Sequence, residues 1–179
     1  MVAARAGEAW AREALFRRYI RMVFGLVYRL VGRDDETEDL VQECFAQALA
    51  HLGSLSEPQA FGGWLTSVVV RTVHKALRRR VISNRLGLRR QREPLDVESL
   101  LSRSAPADVL AELRGVYRIL EGLAPRVRVA LVLRRVEGMT QDEVAGAMGV
   151  SVSTAKRLIV EAELALDGAL DSSKPRKQS

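Results

Sequence analysis

The chain is short of several things, and each shortage removes a class of protein. It has one cysteine, Cys44, among 179 residues, which rules out an internal disulfide framework and any multi-cysteine metal site. No uninterrupted apolar run approaches the roughly 18–20 residues that a membrane-spanning helix needs. The start, MVAARAGEAWARE, lacks the apolar stretch of a signal peptide. The expected setting is therefore soluble, reducing and cytoplasmic. Aromatic residues amount to only 5%, whereas Ala, Leu, Val, Arg and Glu are plentiful, a balance that favours packed amphipathic helices over sheets. No Gly-rich phosphate loop is present. His51 and His74 fall on different predicted helices, with no spacing suited to a metal or to a dyad with Cys44. The sequence points to a binding protein rather than an enzyme, with no catalytic residues, metal or cofactor expected.

What is abundant is charge, unevenly placed. The net charge is +6, which by itself only hints at a polyanionic partner. Between Arg71 and Arg92 there are nine Lys or Arg (71, 75, 78, 79, 80, 85, 89, 90, 92) and no acid. Between Arg33 and Glu43 the balance reverses, with Asp34, Asp35, Glu36, Glu38, Asp39 and Glu43 against one Arg. A merely solvated surface mixes signs along the chain; this one separates them.

Helical periodicity predicts an all-α protein of two small helical domains. A first helix over 8–31 carries Leu15, Tyr19, Met22, Val23, Leu26 and Leu30 on one stripe and stops at Gly32. A second begins near Asp35, where Asp35 and Glu38 have capping-box spacing, and runs to Gly53. Turn chemistry at Gly53, Ser54, Ser56 and Pro58 leads into a third helix over 59–80, which buries Phe61, Trp64, Leu65, Val68, Val69, Val73 and Leu77. Residues 81–106 lose the period and read as an interdomain linker with room for a short helix at 95–102. A second domain over 107–170 follows, with helices at 107–122, 125–136 (Pro125 at the first position), 141–148 and 152–170. Residues 171–179 form a polar tail expected to be disordered.

Residues 140–166, TQDEVAGAMGVSVSTAKRLIVEAELAL, have the form of a helix-turn-helix. Thr140 and Glu143 make a capping box. Ala145 is small where two helices must cross. Gly149 suits a left-handed turn, Val150 plugs the core and Ser151 caps the next helix. Ala155, Leu158, Ile159, Ala162 and Leu166 form its buried stripe. Ser153, Thr154, Lys156, Arg157, Val160 and Glu161 face outward near the end that enters a DNA major groove.

Three blocks taken together are more specific than the helix-turn-helix alone: DDETEDLVQECF at 34–45, FGGWLTSVVVRTVHKALRRR at 61–80, and LAPRVRVALVLRRVEGMTQDEVAGAMGVSVSTAKR at 123–157. In this order, with a variable linker between, they resemble the extracytoplasmic-function (ECF) sigma factors of bacteria. The resemblance implies sigma region two over 1–80 and sigma region four over 107–170, with core RNA polymerase and promoter DNA as partners and an anti-sigma factor as regulator. It places polymerase docking on Glu38, Asp39, Leu40, Gln42, Glu43 and Phe45, whose carboxylates suit a basic partner. It assigns −10 recognition and melting to Phe61, Trp64, Arg71, Lys75, Arg78 and Arg79, with a promoter base gripped by the loop 52–60. It gives −35 contacts to Ser153, Thr154, Lys156 and Arg157. By residue type, Phe61 and Trp64 fit a core as well as a base stack, and the cations are the better phosphate contacts.

Two departures stand out. Where the family shows an Arg-Asn pair and then an Asp, this chain has Val70, Arg71 and Lys75. Leu158 and Glu161 stand where the family's recognition helix favours Arg. Over 107–170, eight Lys or Arg face nine Asp or Glu, a net of −1, so this domain alone should grip DNA feebly. A polymerase subunit tolerates that; a free-standing repressor would be handicapped. A stand-alone helix-turn-helix regulator leaves the acidic and basic blocks without a role, and a helical adaptor that never touches DNA is supported only by the acidic last helix. Val160 and Leu164, if exposed, offer an anti-sigma docking strip.

Overall fold

Every regular element in the computed structural model is helical among the residues it describes, 1–32, 36–86, 119–120 and 122–173. A four-residue turn of helix, α1 (Val2–Arg5), precedes the first long helix and has no counterpart in the sequence-based expectation. Helix α2 (Ala9–Val31) buries Val23, Leu26, Val27, Leu30 and Val31. It ends where expected, at Gly32, whose φ of 79° is left-handed and costs a glycine little. Helix α3 (Thr37–Ala50) buries Leu40, Val41, Cys44, Phe45 and Ala48, one stripe at helical spacing. The expected start of this helix, the Asp35 capping box, lies outside the described residues. Two single turns of 3-10 helix, Leu52–Ser54 and Pro58–Ala60, then lead into α4 (Phe61–Arg85).

Helices α2, α3 and α4 pack against one another in all three pairings. Aromatic contacts fasten the seams: Phe16 of α2 meets Phe45 of α3 at 4.7 Å between ring centroids, and Tyr19 of α2 meets Phe61 of α4 edge-on at 4.9 Å. Leu65, Val69 and Val73 of α4 are fully enclosed. The Arg5 guanidinium donates to the Leu55 carbonyl and Arg12 Nε donates to the Ala4 carbonyl at 3.3 Å, so α1 straps the loop that precedes α4. Helix α4 also runs on to Arg85, past the Arg80 expected as its end. Nothing between Arg80 and Leu86 breaks a helix; the first glycine is Gly87.

The linker from 87 onward, its short helix at 95–102 and the tail from 174 lie outside the described residues. So does most of the helix expected over 107–122, of which Ile119, Leu120 and Gly122 are described and helical. The second unit then comprises α5 (Pro125–Leu131), α6 (Gln141–Met148) and α7 (Val152–Ser173). Proline opens α5 at its first position. The helix expected over 125–136 does not finish as an α-helix, because Val132–Val136 widens into a π turn closed by Glu137 N–H donating to Val132 O at 3.0 Å. Helix α5 packs on α7, enclosing Val129, Ala130, Leu133, Ala155 and Ala162.

Burial in the α3 stripe pushes the Cys44 thiol from 9.0 up to about 12, with a Thr72 hydrogen bond opposing the shift and the Glu43 charge adding to it. The folded protein thus holds the thiol neutral where the unfolded chain ionises it. Stability is complete below the unfolded pKa of 9.0 and falls as pH rises through the interval up to about 12. Two outcomes are expected. At pH 8 a thiol reagent should modify Cys44 far more slowly in native protein than in denaturant, and equal rates would place the thiol outside the core. Leu65→Ala should destabilise the first unit by about 2–5 kcal/mol in urea melts.

Candidate nucleic-acid interface

The 3.6-residue period sorts the sequence block at 38–45 onto two faces of α3. Glu38, Asp39 and Gln42 are exposed and Glu43 is half-buried, forming an i, i+1, i+4, i+5 ridge of carboxylates and one amide. Leu40 and Phe45 are only 5% and 6% exposed and point the other way, Phe45 against Phe16. Their side chains hold the helix down in the core and do not share the outward face of the polar four.

On α4 the same sorting applies. Phe61 is 4% exposed, with Tyr19 at 4.9 Å and Trp64 at 5.8 Å between ring centroids, so its ring is packed in the core. Trp64 is half-buried, and Arg71, Lys75, Arg78 and Arg79 are exposed. Trp64, Val68, Arg71, Thr72 and Lys75 line one wall of an open groove of 410 Å³; Glu43 and Gln47 of α3, with His51 and Ser54 just beyond it, line the other. The groove brings together Trp64, Arg71 and Lys75, and sets them opposite Glu43 of the ridge. Arg79 lies further along, its Nη2 3.6 Å from Glu43 Oε1. Both groups are partly solvated, so this pair is a loose one.

Gln47 and His51 belong to this groove without having been marked by any sequence motif, although they continue the Glu43 face at successive i+4 steps; Ser54 comes from the 52–60 loop. His51 Nδ1 lies 2.9 Å from the Gln47 carbonyl. A carbonyl only accepts, so Nδ1 is the donor. In the loop 52–60, Leu52 and Leu55 are buried while Ser54, Ser56, Glu57 and Gln59 are exposed.

In the second unit the helix-turn-helix forms as its residues require. Thr140 N–H donates to Glu143 Oε2 at 2.7 Å, and Glu143 N–H donates to Thr140 Oγ1 at 3.3 Å, a reciprocal capping box. Gly149 takes a φ of +65° in the turn. Ser151 Oγ accepts from Thr154 N–H at 3.3 Å and lies 3.0 Å and 2.8 Å from the Ser153 and Thr154 hydroxyls. Ser153, Lys156 and Arg157 are exposed at the start of α7, and Thr154 is half-buried. Arg157 Nη1 lies 3.9 Å from Glu161 Oε2. Arg135 Nη2 meets Glu163 Oε1 at 2.7 Å, tying the π turn to α7. No group able to hold a metal ion is found among the described residues.

This is the arrangement of a two-region transcription factor of the sigma-70 type: residues 15–81 match sigma-70 region 2 and residues 113–166 match sigma-70 region 4. The chain is 31% identical to the ECF RNA polymerase sigma-E factor of Escherichia coli K12, covering 90% of this chain and 87% of that one. It is 28% identical to the RNA polymerase sigma-H factor of Pseudomonas aeruginosa, covering 92% and 88%. Two solved structures share the fold. CnrH in complex with the cytosolic domain of CnrY has a TM-score of 0.62 at 23% identity, covering 97% of this chain and 96% of that one. The sigma factor RpoE in complex with the anti-sigma factor NepR from Bartonella quintana has 0.66 at 18%, covering 90% and 98%. The chain belongs to the ECF family of RNA polymerase sigma factors. The reading of a stand-alone regulator or an adaptor is not favoured.

The capping box gives a direct test. Hydrogen bonds from the Thr140 backbone N–H, and then from its hydroxyl, hold the Glu143 carboxyl below its ordinary 4.5. A depressed carboxyl contributes stability that is complete above the unfolded value and is lost as pH falls through the lower folded value. Glu143→Gln should therefore melt earlier than the parent at pH 7, and the gap should close in acid below the folded value. A gap that persists there would assign the loss to something other than the carboxylate.

Proposed function

We propose that this sigma factor divides its work among three polar faces. The α3 ridge of Glu38, Asp39, Gln42 and Glu43 docks on the basic clamp helices of the largest polymerase subunit, with Leu40 and Phe45 acting from beneath as packing. The α4 face of Trp64, Arg71, Lys75, Arg78 and Arg79 contacts −10 promoter DNA, with Trp64 as the stacking surface and Phe61 as its support. Ser153, Thr154, Lys156 and Arg157 at the start of α7 face the −35 major groove. The observation that carries this reading is the separation of sign: carboxylates outward on α3 and cations outward on α4, in a chain whose two regions match the family in order. The division of the chain into region two at 1–80, a linker at 81–106 and region four at 107–170 belongs to the same proposal.

The chain performs no catalysis in this scheme; it supplies promoter choice to an enzyme that already polymerises. No described helix is long and apolar enough to cross a membrane, and the proposed place of action is the cytoplasm, beside polymerase and DNA. Since two related folds occur in complexes with CnrY and with the anti-sigma factor NepR, an anti-sigma partner is proposed here too, one that could hold the chain at a membrane. The exposed Val160 and Leu164 on α7 offer it an apolar strip.

Run-off transcription tests the function: core polymerase with this chain should initiate from a promoter that core alone ignores, and transcription independent of the chain would overturn it. Within that assay Arg157→Ala should weaken −35 recognition with little loss of core binding, whereas equal loss of both would make Arg157 structural. The double change Arg71→Gln, Lys75→Gln should lower the slope of log affinity against log salt for holoenzyme–promoter binding by about 2, one for each phosphate no longer neutralised. An unchanged slope would remove both residues from the DNA face.

A further inference from the structure

We infer that Arg80 is a positioning residue for the docking ridge of α3, acting through Glu36, and not a phosphate contact like its neighbours in the basic run. The inference rests on the docking and DNA assignments proposed above. Arg71, Lys75, Arg78, Arg79 and Arg85 all face solvent, but the Arg80 side chain is only 8% exposed. Its Nη2 donates to Glu36 Oε2 at 3.0 Å, across 44 residues of sequence. Glu36 is the residue on which α3 starts, two positions before the first carboxylate of the ridge.

A guanidinium drawn out of water is costly unless it is held by an anionic or polar partner. In that state it cannot also neutralise a promoter phosphate. Its position fixes instead where the first turn of α3 sits on α4. A second polar tie at this helix start, Thr37 Oγ1 to Gly32 O, is long at 3.4 Å. Arg79, one residue earlier, meets the far end of the same ridge at Glu43. Consecutive arginines thus reach the start of α3 and the far end of the ridge, one buried and short, the other solvated and loose. Holding Glu38, Asp39 and Gln42 in place before docking reduces the ordering that polymerase binding would otherwise impose.

The rival account makes Glu36 a direct polymerase contact that Arg80 merely masks. The two accounts differ in sign. If Arg80 masks, Arg80→Gln frees Glu36 and tightens core binding; if it positions, the same change weakens it. Core affinity is to be measured with full-length Glu36→Gln, Arg80→Gln and the double variant, alongside Arg80→Lys, and promoter binding by each holoenzyme measured across salt. Each single change to Gln should weaken core binding roughly three- to ten-fold. The double should be no weaker than the worse single, since one linkage is being removed, and Arg80→Lys should recover part of the loss. The promoter salt slope should stay at the parent value.

A slope lower by about 1 for Arg80→Gln would make it a phosphate contact, and unchanged or tighter core binding would also overturn the inference. Should Arg80→Gln fail to fold, Glu36→Gln, at a half-exposed site, and Arg80→Lys still decide it: unchanged core affinity in Glu36→Gln refutes the proposal. Glu38→Gln and Glu43→Gln serve as reference. If these leave core affinity untouched, the docking assignment itself fails. If they weaken it while Glu36→Gln and Arg80→Gln do not, only the present inference fails.

Discussion

The shared apolar seam between α3 and α4, closed from the other side by α2, is the constraint on which the first unit depends. Each large side chain fully enclosed there contributes about 1.5–3 kcal/mol, and Leu65, Val69, Val73 and Cys44 are all enclosed. A solvated ion pair such as Arg79–Glu43 contributes about 1 kcal/mol at most. The seam therefore sets the rotation of both helices, and the charges accept whatever direction remains. With a 3.6-residue period that direction is outward, carboxylates on α3 and cations on α4. Two surfaces of opposite charge follow from burying one stripe.

The second unit uses its charges differently. Its net charge of −1 over 107–170 is unfavourable for DNA binding, yet the two glutamates midway along α7 are engaged within the protein. Glu163 closes a short contact with Arg135, and Glu161 leans toward Arg157. The first joins the π turn to α7. The second is loose at 3.9 Å and leaves Arg157 largely exposed. There is still no cation surplus, so this unit is suited to share its grip on DNA with a polymerase.

Much of the fold could be read from the residues because local and tertiary demands agree. Gly32 and Gly149 sit where the backbone is left-handed, Pro125 starts a helix, and Thr140 with Glu143 caps one. What escaped reading lacked a local cause. The π turn at 132–136 has no residue pattern that distinguishes it from α-helix. The extension of α4 to Arg85 was hidden by Ser83 and Asn84, which resemble a turn but break nothing. Within the candidate site, the blocks were visible and their directions were not. A motif is contiguous, whereas a helix face takes residues three or four apart, so Leu40, Phe45 and Phe61 were grouped with neighbours that point away from them.

Arg80 shows the same limit most clearly. Among nine cations with no acid between them, nothing in composition marks one as different. Its separation lies in angle: Leu77 and Arg80 are three apart on α4, on the flank that faces the core, while Arg78 and Arg79 fall to the outside. A long arginine on that flank can cross the edge of the seam and reach an acid at the start of α3. The seam brings Glu36 within that reach, and the resulting contact ties the start of α3 to α4. The carboxylate face of α3 and the cation face of α4 are thus carried by two helices packed on each other.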